Sequence, residues 1–159
     1  MRADKAFKLA ASILICLLAG FIGQLATGPA ITGWYSKLVK PPLQPPNWVF
    51  APVWTILYIM MGVALYLVIA DRKKWEKKSE GVFAFAFQLA LNSFWSVLFF
   101  GYHLPSVAAI EIIALWSAIL GTILLFDRVS RTAAILMMPY LIWVTFATYL
   151  NFAIWWLNR

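Results

Sequence analysis

Long apolar runs, broken at short polar intervals, set the pattern of this chain. A helix needs about 20 mostly apolar residues to cross a bilayer core. Five runs meet that length, at about Ala6–Ala26, Pro52–Ala70, Val82–Gly101, Pro105–Phe126 and Ala133–Leu157. The first stays uncharged from Leu9 to Ser36, longer than the apolar part of a signal peptide, and no convincing cleavage site follows it. It therefore reads as the first span. The expected fold is an all-α membrane protein, a single-domain five-transmembrane-helix bundle. The longest connection, from about Thr27 to Ala51, holds Pro29, Pro41, Pro42, Pro45 and Pro46. Proline fixes φ and restricts the residue before it, so this loop should be stiff and mostly non-helical, with Pro52 in the first turn of the next helix. A stiff loop this long in a small membrane protein reads as a lid.

Composition supports lipid as the solvent. The 159 residues are 64% hydrophobic and only 12% charged, against about 25% charged in soluble domains. The net charge of +7 is not a nucleic-acid signal, because the cations sit in the connections. One side holds Arg2, Lys5, Lys8, Arg72, Lys73, Lys74, Lys77, Lys78, Arg128 and Arg131; the other holds Lys37, Lys40 and Arg159. Ten against three is a strong positive-inside bias, which puts the N-terminus in the cytoplasm and the C-terminus outside a cell membrane. With one cysteine and one histidine there is no internal disulfide and no metal-ligand cluster.

Polar residues within the spans are the candidate chemistry. Gln88, Asn92 and Ser96 recur at i, i+4, i+8 on one face of the third span, bordered by Trp95. Trp143, Ala147 and Asn151 share a face of the fifth span, with a recess beside the Trp143 indole, and Trp54 and Tyr58 share one in the second. Convergent aromatics with a few amides describe an apolar pocket. The plain alternative is interhelical hydrogen bonding, worth about 0.6 kcal/mol per bond. Trp48, Trp155 and Trp156 read as interfacial belt residues, and Trp75 falls in a cytoplasmic loop. Glu111, the one acid inside a span, raises a proton-coupled transporter. His103 reads as a solvated loop histidine before a haem ligand. Gly20 and Gly23 give the first helix a close-packing face, and Ala86 with Ala90 offer a dimer seam on the third. No catalytic triad, carboxylate pair or phosphate loop is visible.

Trp34-Tyr35 followed by PPLQPPNWVFAPVWTILYIMMG resembles the signature of the TspO/MBR family, the tryptophan-rich sensory proteins and mitochondrial translocator proteins. QLALNSFWSVLFF and PYLIWVTFATYLNFAIWW resemble further family blocks, in order along nearly the whole chain. The resemblance implies a five-helix bundle, often a homodimer, with the first loop folded over a pocket. It implies binding of tetrapyrroles such as protoporphyrin IX and haem, and of benzodiazepine-type and isoquinoline drugs. The tetrapyrrole enters as ligand, with no cofactor required. Residue by residue, the family pocket falls on Tyr35, Pro45, Trp54, Asn92, Trp95, Ser96, Trp143 and Ala147; Tyr58, Gln88 and Asn151 join them by spacing alone. The family also ties the tryptophans at Trp54 and Trp143 to light- and oxygen-dependent porphyrin breakdown, so receptor, enzyme and transporter all stand open. The mitochondrial cholesterol motif fails here. It needs a cation within one to five residues after its tyrosine, and the next cation after Tyr149 is Arg159. The chain looks more like a prokaryotic member.

Overall fold

The structure, a computed structural model, describes residues 2–73 and 75–159, and only the backbone of Arg2 and Lys77. Lys74 and the side chains of Arg2 and Lys77, among the cations counted above, lie outside the described residues. Five helices follow one another: α1 (Arg2–Thr32), α2 (Asn47–Ala70), α3 (Ser79–Ser96), α4 (Pro105–Asp127) and α5 (Arg131–Leu157). All five are long and apolar enough to cross a membrane. Packing closes them into a ring in the order α1, α2, α5, α4, α3, with α3 returning against α1. Most of the outward surface is apolar, from Phe7 and Leu18 on α1 to Ile142 on α5, as expected of helices solvated by lipid.

Two proline expectations are corrected. α1 does not stop before Gly28-Pro29; it runs through Pro29 to Thr32. A proline in the last turn forfeits a single backbone bond, and hydroxyls tie up neighbouring carbonyls. Thr27 Oγ1 donates to the Gly23 carbonyl at 2.9 Å, and Ser36 Oγ donates to the Gly33 carbonyl at 2.7 Å. Nor is Pro52 in a first turn. α2 begins at Asn47, with Pro46 at the N-cap (φ −57°, ψ 144°) and the Val49 N–H bonded to the Pro46 carbonyl at 3.0 Å. Membrane helices tolerate interior proline when their neighbours hold the helix in place. α5 likewise runs unbroken through Pro139.

The end of the bundle that carries residues 33–46 is called the loop end here. At the opposite end the interior is solid. Phe85 and Phe126 stack at 5.7 Å, and Met61, Ile119 and Met137 fill the space around them with no exposure. Two lysines of the α2–α3 connection close helix termini there. Lys78 Nζ donates to the Ile69 carbonyl (2.7 Å) at the end of α2, and Lys73 Nζ to the Arg128 carbonyl (2.7 Å) past the end of α4. Cations favour helix C-termini because the last carbonyls carry partial negative charge.

The loop end is built differently. α3 ends in a π turn, Val97–Gly101, which presents Leu98 and Phe99 to the interior and Phe100 beside them. Wider turns of this kind change the facing of successive side chains and recur at functional sites. Tyr35, in a short 3₁₀ turn (Tyr35–Lys37), packs edge-on against Phe99 and Phe100. Trp34 stacks on His103 at 4.4 Å. His103 is thus exposed yet held, and it adopts a positive φ of 57°. Asn158 grips the loop backbone from the far end of the chain. Its Oδ1 accepts from the Val39 N–H and its Nδ2 donates to the Val39 carbonyl, both at 2.9 Å.

Candidate functional site

Between this loop end and the packed half lies a cavity of about 400 Å³. That falls in the range of small-molecule sites, about 300–1,000 Å³. α2 lends it Phe50, Trp54 and Tyr58, the third span Asn92, Trp95, Ser96 and Phe100, and α5 Trp143 and Ala147. Tyr35 joins from the loop. The helical periods place these residues: 54 and 58, 92 and 96, 143 and 147 each sit one turn apart on one face.

The floor is a hydrogen-bonded chain across three helices. The Tyr58 hydroxyl donates to Asn92 Oδ1, and Asn92 Nδ2 donates to the Tyr140 hydroxyl at 3.0 Å. Tyr140 is fully buried. Trp54 stacks on Tyr58 at 5.5 Å and meets Tyr140 edge-on at 6.1 Å, so the aromatic wall and the polar floor are one unit. Trp95 is set from behind. Its indole N–H donates to Asn151 Oδ1 at 2.9 Å, and Asn151 Nδ2 donates to the Pro105 carbonyl at 2.8 Å. Phe50 meets Trp143 edge-on at 5.8 Å, while Trp143 Nε1 is buried with no acceptor among the described residues. At the rim, burial pushes the Tyr35 phenol above its ordinary value of 10.0, with the neighbouring Gln44 side chain opposing the shift.

Of the eleven residues singled out from the sequence, eight therefore share one cavity: Tyr35, Trp54, Tyr58, Asn92, Trp95, Ser96, Trp143 and Ala147. Three do not line it. Pro45 lies elsewhere in the loop. Asn151 spends its amide on Trp95 and Pro105. Gln88, one turn below Asn92, is fully buried beneath the floor, and neither amide atom has a partner among the described residues. Glu111 also stands outside, its two carboxyl oxygens buried without a partner among the described residues. Spacing missed a whole wall. α1 contributes Leu17, Gly20, Phe21, Gly23, Gln24, Thr27 and Ile31. Gly20 and Gly23 do pack closely, as read, but inside the bundle: a Cβ on Gly20 would run into the Tyr58 ring, and one on Gly23 would meet Ser96 Oγ at 3.0 Å. Gln24 and Thr27, polar in an otherwise apolar run, were the available signal.

Five spanning helices around an aromatic cavity with a sparse polar floor define an integral membrane protein with a small-molecule-sized site. Residues 12–157 match the TspO/MBR family, and the chain belongs to that family. It is 48% identical over 150 residues to a tryptophan-rich protein TspO of Chlorobaculum tepidum, covering 94% of this chain and 95% of that one. It is 36% identical over 143 residues to the translocator protein of Bos taurus, covering 89% and 85%. It is 37% identical over 131 residues to a tryptophan-rich sensory protein of Cereibacter sphaeroides, covering 78% and 80%.

Proposed function

We propose that the chain is a membrane receptor that binds flat, apolar ligands in this cavity, tetrapyrroles such as protoporphyrin IX and haem and drugs of the benzodiazepine type. The observation that carries the reading is the convergence of Trp54, Tyr58, Trp95 and Trp143 on one cavity with Asn92 at its floor. A macrocycle stacked on Trp54 or Trp143 would gain apolar burial and about 0.5–1.5 kcal/mol per aromatic pair beyond it. Lys40, whose ammonium sits 4.7 Å from the centre of the Tyr35 ring, would be the cation to meet a propionate. The names of the relatives, sensory and translocator proteins, agree with a ligand-responsive membrane protein.

Titration of detergent-solubilised protein with protoporphyrin IX in the dark, followed by tryptophan quenching, tests this. Saturable quenching that weakens in Trp54→Phe and Trp143→Phe is expected. Quenching that never saturates would remove the tetrapyrrole and leave drug-like ligands to be tried. A second reading, an enzyme promoting light- and oxygen-dependent porphyrin degradation, draws support from the exposure of both indoles to the same cavity. Under illumination in air, Trp143→Phe should then bind porphyrin but consume it more slowly. Equal consumption by the variant would sink that role.

A further inference from the structure

We propose that the cavity fills sideways from the membrane, through a portal between the loop-end halves of α1 and α2, and that its ligands are molecules already dissolved in the bilayer. The inference rests on the ligand-binding reading above.

The lining residues exposed at the surface are Phe21 and Gln24 on α1 with Asn47, Ala51 and Thr55 on α2. Every lining residue on α3, its π turn, α5 and the loop is at least partly covered. The opening therefore lies between two membrane helices. Gln24 stands eight residues from the loop end of α1, and Thr55 eight residues from the loop end of α2. At 1.5 Å per residue each is about 12 Å down its helix, so the two stand at a similar depth. Helices of this length place that level inside the hydrocarbon layer. An amide turned to lipid there is costly; at the mouth of a polar-floored cavity it meets water or a ligand instead.

The other routes are closed. From above, Trp34 is stacked on His103, Tyr35 is packed on Phe99 and Phe100, and Asn158 holds both backbone groups of Val39. From below, the Tyr58–Asn92–Tyr140 chain seals the floor. Lower down, α1 and α2 approach backbone to backbone: a Cβ on Gly62 would stand 2.5 Å from Ile13 Cα. The two helices are pinned there, below the mouth.

The test mixes proteoliposomes with vesicles preloaded with protoporphyrin IX and follows tryptophan quenching in time, for wild type, Gln24→Phe/Thr55→Phe and Asn158→Ala. Narrowing the mouth with two phenylalanines should slow association and dissociation together, by about tenfold, which is roughly 1.4 kcal/mol of added barrier. Releasing the loop with Asn158→Ala should leave both rates as in wild type. Faster rates in Asn158→Ala with no change in the double variant would make the loop the door and overturn the portal. A change confined to dissociation in the double variant would mark Gln24 and Thr55 as ordinary wall residues and overturn it too. No saturable quenching in wild type would overturn the ligand-binding reading, and the portal with it.

Discussion

One methyl group at Gly20 should destabilise the bundle and spoil the cavity, while the same methyl at Gly121 should do neither. A Cβ on Gly20 would overlap the Tyr58 ring, reaching 2.7 Å from Cδ2 and 2.9 Å from Cζ. The ring cannot swing aside freely, because its hydroxyl is bonded to Asn92 and its face is stacked on Trp54. Overpacking of this kind costs about 1–3 kcal/mol. Alanine returns up to ~1 kcal/mol of helix propensity over glycine. Gly20→Ala should therefore lose up to about 2 kcal/mol net. Gly121, in the middle of α4, has nothing within 4 Å of its would-be Cβ, so Gly121→Ala keeps only the propensity gain. Reversible unfolding in mixed micelles measures both, and ligand titration reads the cavity. The displaced Tyr58 should weaken porphyrin binding in Gly20→Ala alone. Equal stabilities for the two variants, or full binding by a destabilised Gly20→Ala, would refute the claim that α1 presses on the cavity through Tyr58.

Asn151→Ala strips an acceptor from the Trp95 indole and a donor from the Pro105 carbonyl, so it should cost about 1–3 kcal/mol, read by the same unfolding assay, and weaken binding although Asn151 is outside the cavity. The positive-inside bias predicts that a cysteine placed at Lys40 is labelled on intact cells by an impermeant maleimide and one at Arg128 is not; the native Cys16 is fully buried and gives no background. Tyr35 sets a pH dependence of known sign. Its folded-state pKa is raised by burial, so the stability it contributes is full below the unfolded value of 10.0 and is lost as pH rises through the higher folded value. Proteolytic protection of residues 33–46 should thus be flat at neutral pH, fall in alkali, and fall less steeply in Tyr35→Phe.

Run length made the five helices legible, because lipid demands long uninterrupted apolar segments and little else has that signature. The ends were harder. Pro29 read as a breaker and Pro52 as a first-turn residue by the rules of helices in water, yet both lie well inside helices that neighbouring helices hold in place. The aromatic faces were legible because 3.6-residue periodicity groups them whatever the ring order. The wall from α1 was not, since ring order decides which face turns inward, and no local pattern states that α3 returns against α1. Asn151 shows the same limit at the scale of one side chain. Its spacing from Trp143 and Ala147 put it on the right helix face, but only the position of Trp95, on another helix, makes it a strut. Lys73 and Lys78 read as topogenic charge and prove also to be helix caps, Lys78 on a carbonyl nine residues back and Lys73 on one 55 residues away.

The packing also weighs the three functional readings against one another. A transporter needs the site to reach both faces of the membrane in turn. Here the cavity ends at Tyr58, Asn92 and Tyr140, and beyond them lie the buried side chains of Phe85, Phe126, Met61 and Met137. Opening a path would mean unstacking Phe85 from Phe126 and parting that core. Nor does the cavity take in Glu111, the acid that a proton-coupled cycle would use. A receptor and a photochemical enzyme ask for less. Each needs a ligand held against fixed indoles, and both indoles are fixed, Trp54 by its stack on Tyr58 and Trp143 by Phe50. What separates these two is the fate of the bound ligand under light, whereas a transporter would demand a second conformation of the whole floor.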